Sequence, residues 1–136
     1  MTPARIVLWL AGLSFIGFGM AFTLWPMPMG RLVEIPLPTP TARIDFAATY
    51  GGFELGVGTF LLACARRPAW HEAGLWAAAA SLGGFALVRM LGLVVAAGPA
   101  TRPIFFALAL EITGSAIGVL ALRHLRRTRA PTPAGS

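Results

Sequence analysis

Four stretches of this chain each run for about twenty residues with no more than one charged side chain, and none of the 11 prolines falls inside the middle of any of them. The stretches are 6–27, which is uncharged, then 46–65, 73–97 and 104–122, which carry only Glu54, Arg89 and Glu111 respectively. A helix rises 1.5 Å per residue, so about 20 apolar residues cross the hydrocarbon core of a bilayer. In lipid only a helix satisfies its backbone groups within one segment, and no stretch alternates apolar and polar residues as a barrel strand does. The chain is therefore expected to be all-α, an integral membrane four-helix bundle covering 1–129, followed by a disordered cytoplasmic tail at 130–136.

Composition closes the other routes. Charged residues make up 12% of the chain against 57% apolar, and the sequence contains no Lys, Asn or Gln. A water-soluble domain carries about 25% charge, so a soluble single domain is excluded. A disulfide scaffold is excluded too, because Cys64 is the only cysteine. The net charge of +6 raises the question of nucleic acid. However, Arg66, Arg67, Arg123, Arg126, Arg127 and Arg129 follow the ends of apolar runs. That placement is a topology signal and a means of touching anionic headgroups.

Orientation follows from the arginines. With both termini inside, seven (Arg5, Arg66, Arg67, Arg123, Arg126, Arg127, Arg129) lie on the cytoplasmic side and three (Arg31, Arg43, Arg102) outside, with Arg89 in the membrane. Basic residues favour the cytoplasmic side, so the expectation is N-in and C-in. Trp9, Trp25, Trp70 and Trp76 fall near the interfaces. The first run is too long for a signal-peptide core and reads as a span. The connection 28–45 is the one long loop, and its Pro36-Leu37-Pro38-Thr39-Pro40 stretch is expected to be stiff and extended.

Each of the last three spans holds one ionisable residue. Counted from outer ends at Asp45, Gly98 and Ile104, Glu54, Arg89 and Glu111 lie about 13, 13 and 10 Å deep. A charge in lipid costs about 2.5–3.5 kcal/mol on insertion scales, and a common layer lets these three offset that cost by pairing. A Glu54–Arg89–Glu111 cluster is expected, with Tyr50 one turn from Glu54 donating its hydroxyl to the carboxylate. One arginine balances one carboxylate, so the second needs a proton or another cation, for which Arg43 is a candidate. Gly51 and Gly58, Gly52 and Gly56, Gly92, and Gly114 and Gly118 are expected at helix contacts, where small residues let backbones approach.

Other chemistry is not supported. A single cysteine makes no redox pair, so Cys64 reads as packing. His71 and His124 lie at the cytoplasmic interface, with His71-Glu72 reading as a solvated turn, so no metal or haem site is expected and no cofactor is implied. No serine has a histidine at its depth for a hydrolase triad.

The run Asp45-Phe46-Ala47-Ala48-Thr49-Tyr50-Gly51-Gly52-Phe53-Glu54-Leu55-Gly56-Val57-Gly58 resembles the signature of a bacterial family of short four-span membrane proteins, domain of unknown function four-three-four-five. Arg89-Met90-Leu91-Gly92 and Glu111 resemble its later landmarks, and the resemblance extends from about Arg5 to Leu122. It implies a bacterial inner-membrane location and a shared bundle, and no reaction. Three functional readings follow from the residues. The first is a small binding or transport-type protein with a proton-titratable cluster. The second is an accessory subunit of a larger membrane complex, in which the cluster is internal glue. The third is a membrane enzyme using Glu54 as acid/base on a lipid-like substrate, which no second motif supports. The expected partners are the bilayer and either a second copy or a membrane-complex subunit, and not nucleic acid.

Overall fold

A computed structural model of the protein describes residues 2–96 and 100–129. The expected tail at 130–136 and the outer end of the third span at 97–98 lie outside these residues. The elements are α1 (Pro3–Leu24), α2 (Pro26–Leu32), α3 (Pro40–Phe46), a π-helical segment (Ala47–Gly52), α4 (Phe53–Arg66), a 3-10 turn (Pro68–Trp70), α5 (His71–Val95) and α6 (Arg102–Arg129). No strand occurs among the described residues.

Four helices are long and apolar enough to cross a membrane: Pro3–Leu24, Pro40–Arg66, Pro68–Val95 and Arg102–Thr128. Their outward faces carry large apolar side chains, including Leu10, Val88, Val94, Phe106 and Leu120. On a protein this small, so continuous an apolar surface is suited to lipid and not to water.

Helix boundaries differ from expectation at the long outer connection. Pro26 cannot extend the ladder of α1, and the Trp25 N–H closes that helix on the Ala21 carbonyl at 2.9 Å. The loop expected over 28–45 is instead partly helical, in the short α2 and in α3, and only the stretch between them is free of helix. The second span begins at Pro40, six residues earlier than expected, because Thr39 is an N-cap. Its hydroxyl accepts the Ala42 N–H at 3.1 Å, and proline suits the first helical position. Leu37, in the remaining extended stretch, is buried with Phe22 and Phe46 at the end of the bundle where α1 ends.

The bundle consists of two tight antiparallel pairs, α1 with α4 and α5 with α6. α1 also touches α5 and α6, and α4 touches α5 less extensively, whereas α4 and α6 stand on opposite sides and barely meet. Glycine sets the first seam. A Cβ on Gly58 would stand 2.9 Å from the Gly12 carbonyl oxygen, and one on Gly19 would stand 3.0 Å from that of Gly51. Gly12 and Gly19 on one helix therefore face Gly58 and Gly51 on the other, one pair every two turns. The second seam closes where a Cβ on Gly114 would meet Leu82 and one on Gly118 would meet Ala79. There Ser115 Oγ donates to the Ala79 carbonyl at 3.0 Å. The half of the core nearer the start of α1 is apolar, formed by Leu8, Phe15, Leu61, Cys64 and Leu75 among others.

Candidate functional site

Arg89 and Glu111 extend the α5–α6 seam toward the end of the bundle away from the chain's N-terminus. The Arg89 guanidinium donates from Nη2 to Glu111 Oε1 at 2.7 Å, and from Nε to Oε2 at 3.0 Å and Oε1 at 3.2 Å. This two-pronged geometry is the arrangement a planar guanidinium makes with a single carboxylate. The Glu111 side chain is only 11% exposed and that of Arg89 30%. Placement follows from the seam: the small residues at Ala79, Gly114, Ser115 and Gly118 bring the two backbones close, and antiparallel register then sets Arg89 opposite Glu111.

Glu54 does not join them. No ion pair or hydrogen bond connects it to Arg89, and its Oε2 is buried with no hydrogen-bond partner. The expected three-membered cluster is thus a pair and a separate carboxyl. The reason is topological as well as chemical. Glu54 and Glu111 stand on α4 and α6, which face each other across the bundle, so the fork of Arg89 can be filled by one of them only. It is filled by the acid on the tightly packed neighbour.

Tyr50 and Arg43 are also placed differently from expectation. Tyr50 does not hydrogen-bond to Glu54. Its ring packs on Phe46 at a centroid distance of 4.8 Å and on Phe22 at 5.6 Å. The intervening backbone is π-helical, which breaks the four-residue stacking that would bring the two together. Arg43 Nε donates to the Leu37 carbonyl at 3.5 Å, fastening the outer loop rather than balancing Glu54.

Glu54 lines a side cleft of about 470 Å³ together with Ala48, Thr49, Tyr50, Phe53 and Phe85. Phe53 and Phe85 meet edge to face with centroids 6.5 Å apart, so one ring presents its face and the other its edge. A second groove of about 350 Å³ continues inward from Phe53, lined by Gly52, Gly56, Val57, Phe60, Ala77 and Ser81. Both lie where α5 faces the π-helical segment and α4, the looser contact between the two helical pairs. Three glycines expected at helix contacts explain part of this opening or stand apart from it. Gly52 and Gly56 have nothing within 4 Å of an added Cβ, so they widen the cleft instead of closing a seam, and Gly92 likewise faces open space. Gly51, Gly58, Gly114 and Gly118 are the ones pressed against neighbouring helices.

No feature of the sequence points to the π-helical segment, which holds Tyr50, Gly51 and Gly52 just ahead of Phe53 and Glu54. Such single turns recur at functional sites. Gly12 and Gly19 were a readable signal, since two glycines seven apart share one helix face.

At the opposite end, three arginines lie over three tryptophans: Arg66 over Trp9 at 5.1 Å, Arg67 over Trp70 at 4.4 Å and Arg126 over Trp76 at 5.6 Å. Arg126 also pairs with Glu72 at 2.6 Å. His71 is buried rather than solvated, with Nε2 positioned to donate to the Ala65 carbonyl at 3.4 Å, because it tucks under the end of α4. Cys64 is fully buried. No group of three metal-ligating side chains occurs among the described residues.

The family model described as Domain of unknown function (DUF4345) matches residues 3–122, which takes in both helical pairs, Glu54, Arg89 and Glu111. The chain belongs to this family. No curated protein and no solved structure matches it.

Proposed function

We propose that this is a multi-pass protein of the bacterial inner membrane, with both termini cytoplasmic, that binds a small molecule at Glu54. The single observation that carries the binding reading is the buried, unpartnered carboxyl oxygen of Glu54 in the wall of an otherwise apolar cleft. A polar group left unpaired in such a wall is costly to keep, and is stabilised by a proton or by a donor from a bound molecule. Ionisable residues inside membrane spans mark such pathways by default. The Arg89–Glu111 pair has a different role. It is filled on both sides and sits in a tight seam, so it fixes the register of α5 against α6 and leaves Glu54 as the free group. The orientation is supported by the arginine–tryptophan contacts at one end, where cations and amphipathic rings suit the headgroup region of an anionic leaflet.

The test is co-purification. Wild-type protein and Glu54→Gln, extracted gently from membranes, are compared by native mass spectrometry for retained small molecules. The wild type should carry a species that the variant lacks. Identical spectra from the two would remove Glu54 from the binding role.

A further inference from the structure

The charge and lining of the cleft narrow the ligand further, on the reading that Glu54 is the binding group. We propose that the Glu54 cleft takes a lipophilic organic cation, entering sideways from the bilayer.

Charge complementarity argues for the cation. In the outer half of the bundle Arg89 and Glu111 neutralise one another, with three hydrogen bonds between them. Arg43 is held at the Leu37 carbonyl. Among the described residues Glu54 therefore makes an ion pair with no cation. The negative charge it carries when ionised is complemented by a positive ligand and repels an anion. The rest of the lining has the same preference. Tyr50, Phe53 and Phe85 surround the carboxyl with aromatic rings, whose faces attract cations, and this attraction strengthens when the cation is desolvated.

Shape and access set the remainder of the ligand. Ala48 and the three rings give walls that suit an apolar body, and Thr49 supplies the only neutral aliphatic hydroxyl in the lining. The volume of about 470 Å³ accommodates a drug-sized molecule. Tyr50, Phe53 and Phe85 are each at least 40% exposed on the outer surface of the bundle, at membrane depth. The opening therefore faces acyl chains, and a ligand reaches it after partitioning into the bilayer. Gly52 and Gly56 leave the adjoining groove open for an attached chain or ring. An alkyl- or arylammonium ion fits all these features.

Full-length protein in detergent is tested with radiolabelled tetraphenylphosphonium by equilibrium dialysis, against two competitors of similar bulk. These are triphenylacetate, which is an anion at neutral pH, and triphenylmethanol, a neutral hydrogen-bond donor. The wild type should bind tetraphenylphosphonium saturably, and neither competitor should displace it at equal concentration. Glu54→Gln should weaken binding by roughly tenfold or more, and Phe85→Leu by several-fold. Glu54→Asp, which keeps the charge, should retain most of it, separating lost charge from lost folding. Phe106→Leu, on the lipid face of α6, should bind as wild type does. Glu54-dependent binding of triphenylmethanol in preference to the phosphonium would overturn the cation assignment and leave Glu54 as the binding group. Binding of all three probes independent of Glu54 would overturn both.

Discussion

Two glycines on the same helix, two residues apart, should respond to the same substitution in opposite ways. Gly58 packs against α1: a Cβ there would lie 2.9 Å from the Gly12 carbonyl oxygen and 2.9 Å from the Ile16 backbone nitrogen. Ordinary contact begins near 3.4 Å, so Gly58→Ala forces the helices apart by about 0.5 Å, because besides the Ile16 side chain it meets these two backbone atoms, which cannot rotate aside. A gap of that size forfeits about a quarter to a half of each dispersion contact along the seam, and overpacking of this kind costs about 1–3 kcal/mol. Gly56→Ala meets nothing within 4 Å. Both substitutions gain the same helix propensity, up to about 1 kcal/mol, so that contribution cancels between them. Gly58→Ala should thus be less stable than Gly56→Ala by about 1–3 kcal/mol, with Gly56→Ala at or above wild type. Unfolding in mixed micelles of a mild detergent and dodecyl sulfate reads the difference. Equal stabilities, or the reverse order, would refute the antiparallel glycine seam between α1 and α4.

The Arg89–Glu111 pair should reveal itself through non-additivity. Glu111→Leu alone strands a guanidinium and should cost about 3–5 kcal/mol, while Arg89→Leu/Glu111→Leu should recover most of the loss in the same unfolding assay. A double variant as unstable as the sum of the singles would contradict the pairing. Arg126→Ala removes contacts with Glu72 and Trp76 at an exposed position, so its effect should stay below about 1 kcal/mol and shrink further with added salt. A larger or salt-independent loss would mean the inner end is a structural clasp and not a headgroup contact.

Much of the fold is legible in the sequence because lipid imposes a crude rule that leaves few options. Apolar length and the placement of proline identify four helices, and the boundary errors come from local capping: Thr39-Pro40 starts a helix inside what reads as the long loop 28–45. The depth of each charge could be counted from the sequence as well. Depth does not say which helices are neighbours, and here α4 and α6 stand across the bundle, so three residues in one expected layer become a pair and a lone acid. Glycine was legible as a residue of contacts but not as to which contact. Gly51 and Gly58 face α1 because Gly12 and Gly19 make room for them there, whereas Gly52 and Gly56 are left on the open side. The π-helical turn has no propensity signal of its own, and it altered the geometry between Tyr50 and Glu54 that an ideal helix would give.

The central claim is that Glu54 lines a cleft of its own, proposed to open toward lipid, while Glu111 is committed to Arg89. Dicyclohexylcarbodiimide is a lipid-soluble reagent that couples to carboxyl groups reachable from the hydrocarbon phase, and peptide mass spectrometry locates the adduct. Treatment of membranes should label Glu54 and spare Glu111. Labelling of Glu111 as fast as Glu54 would contradict the account.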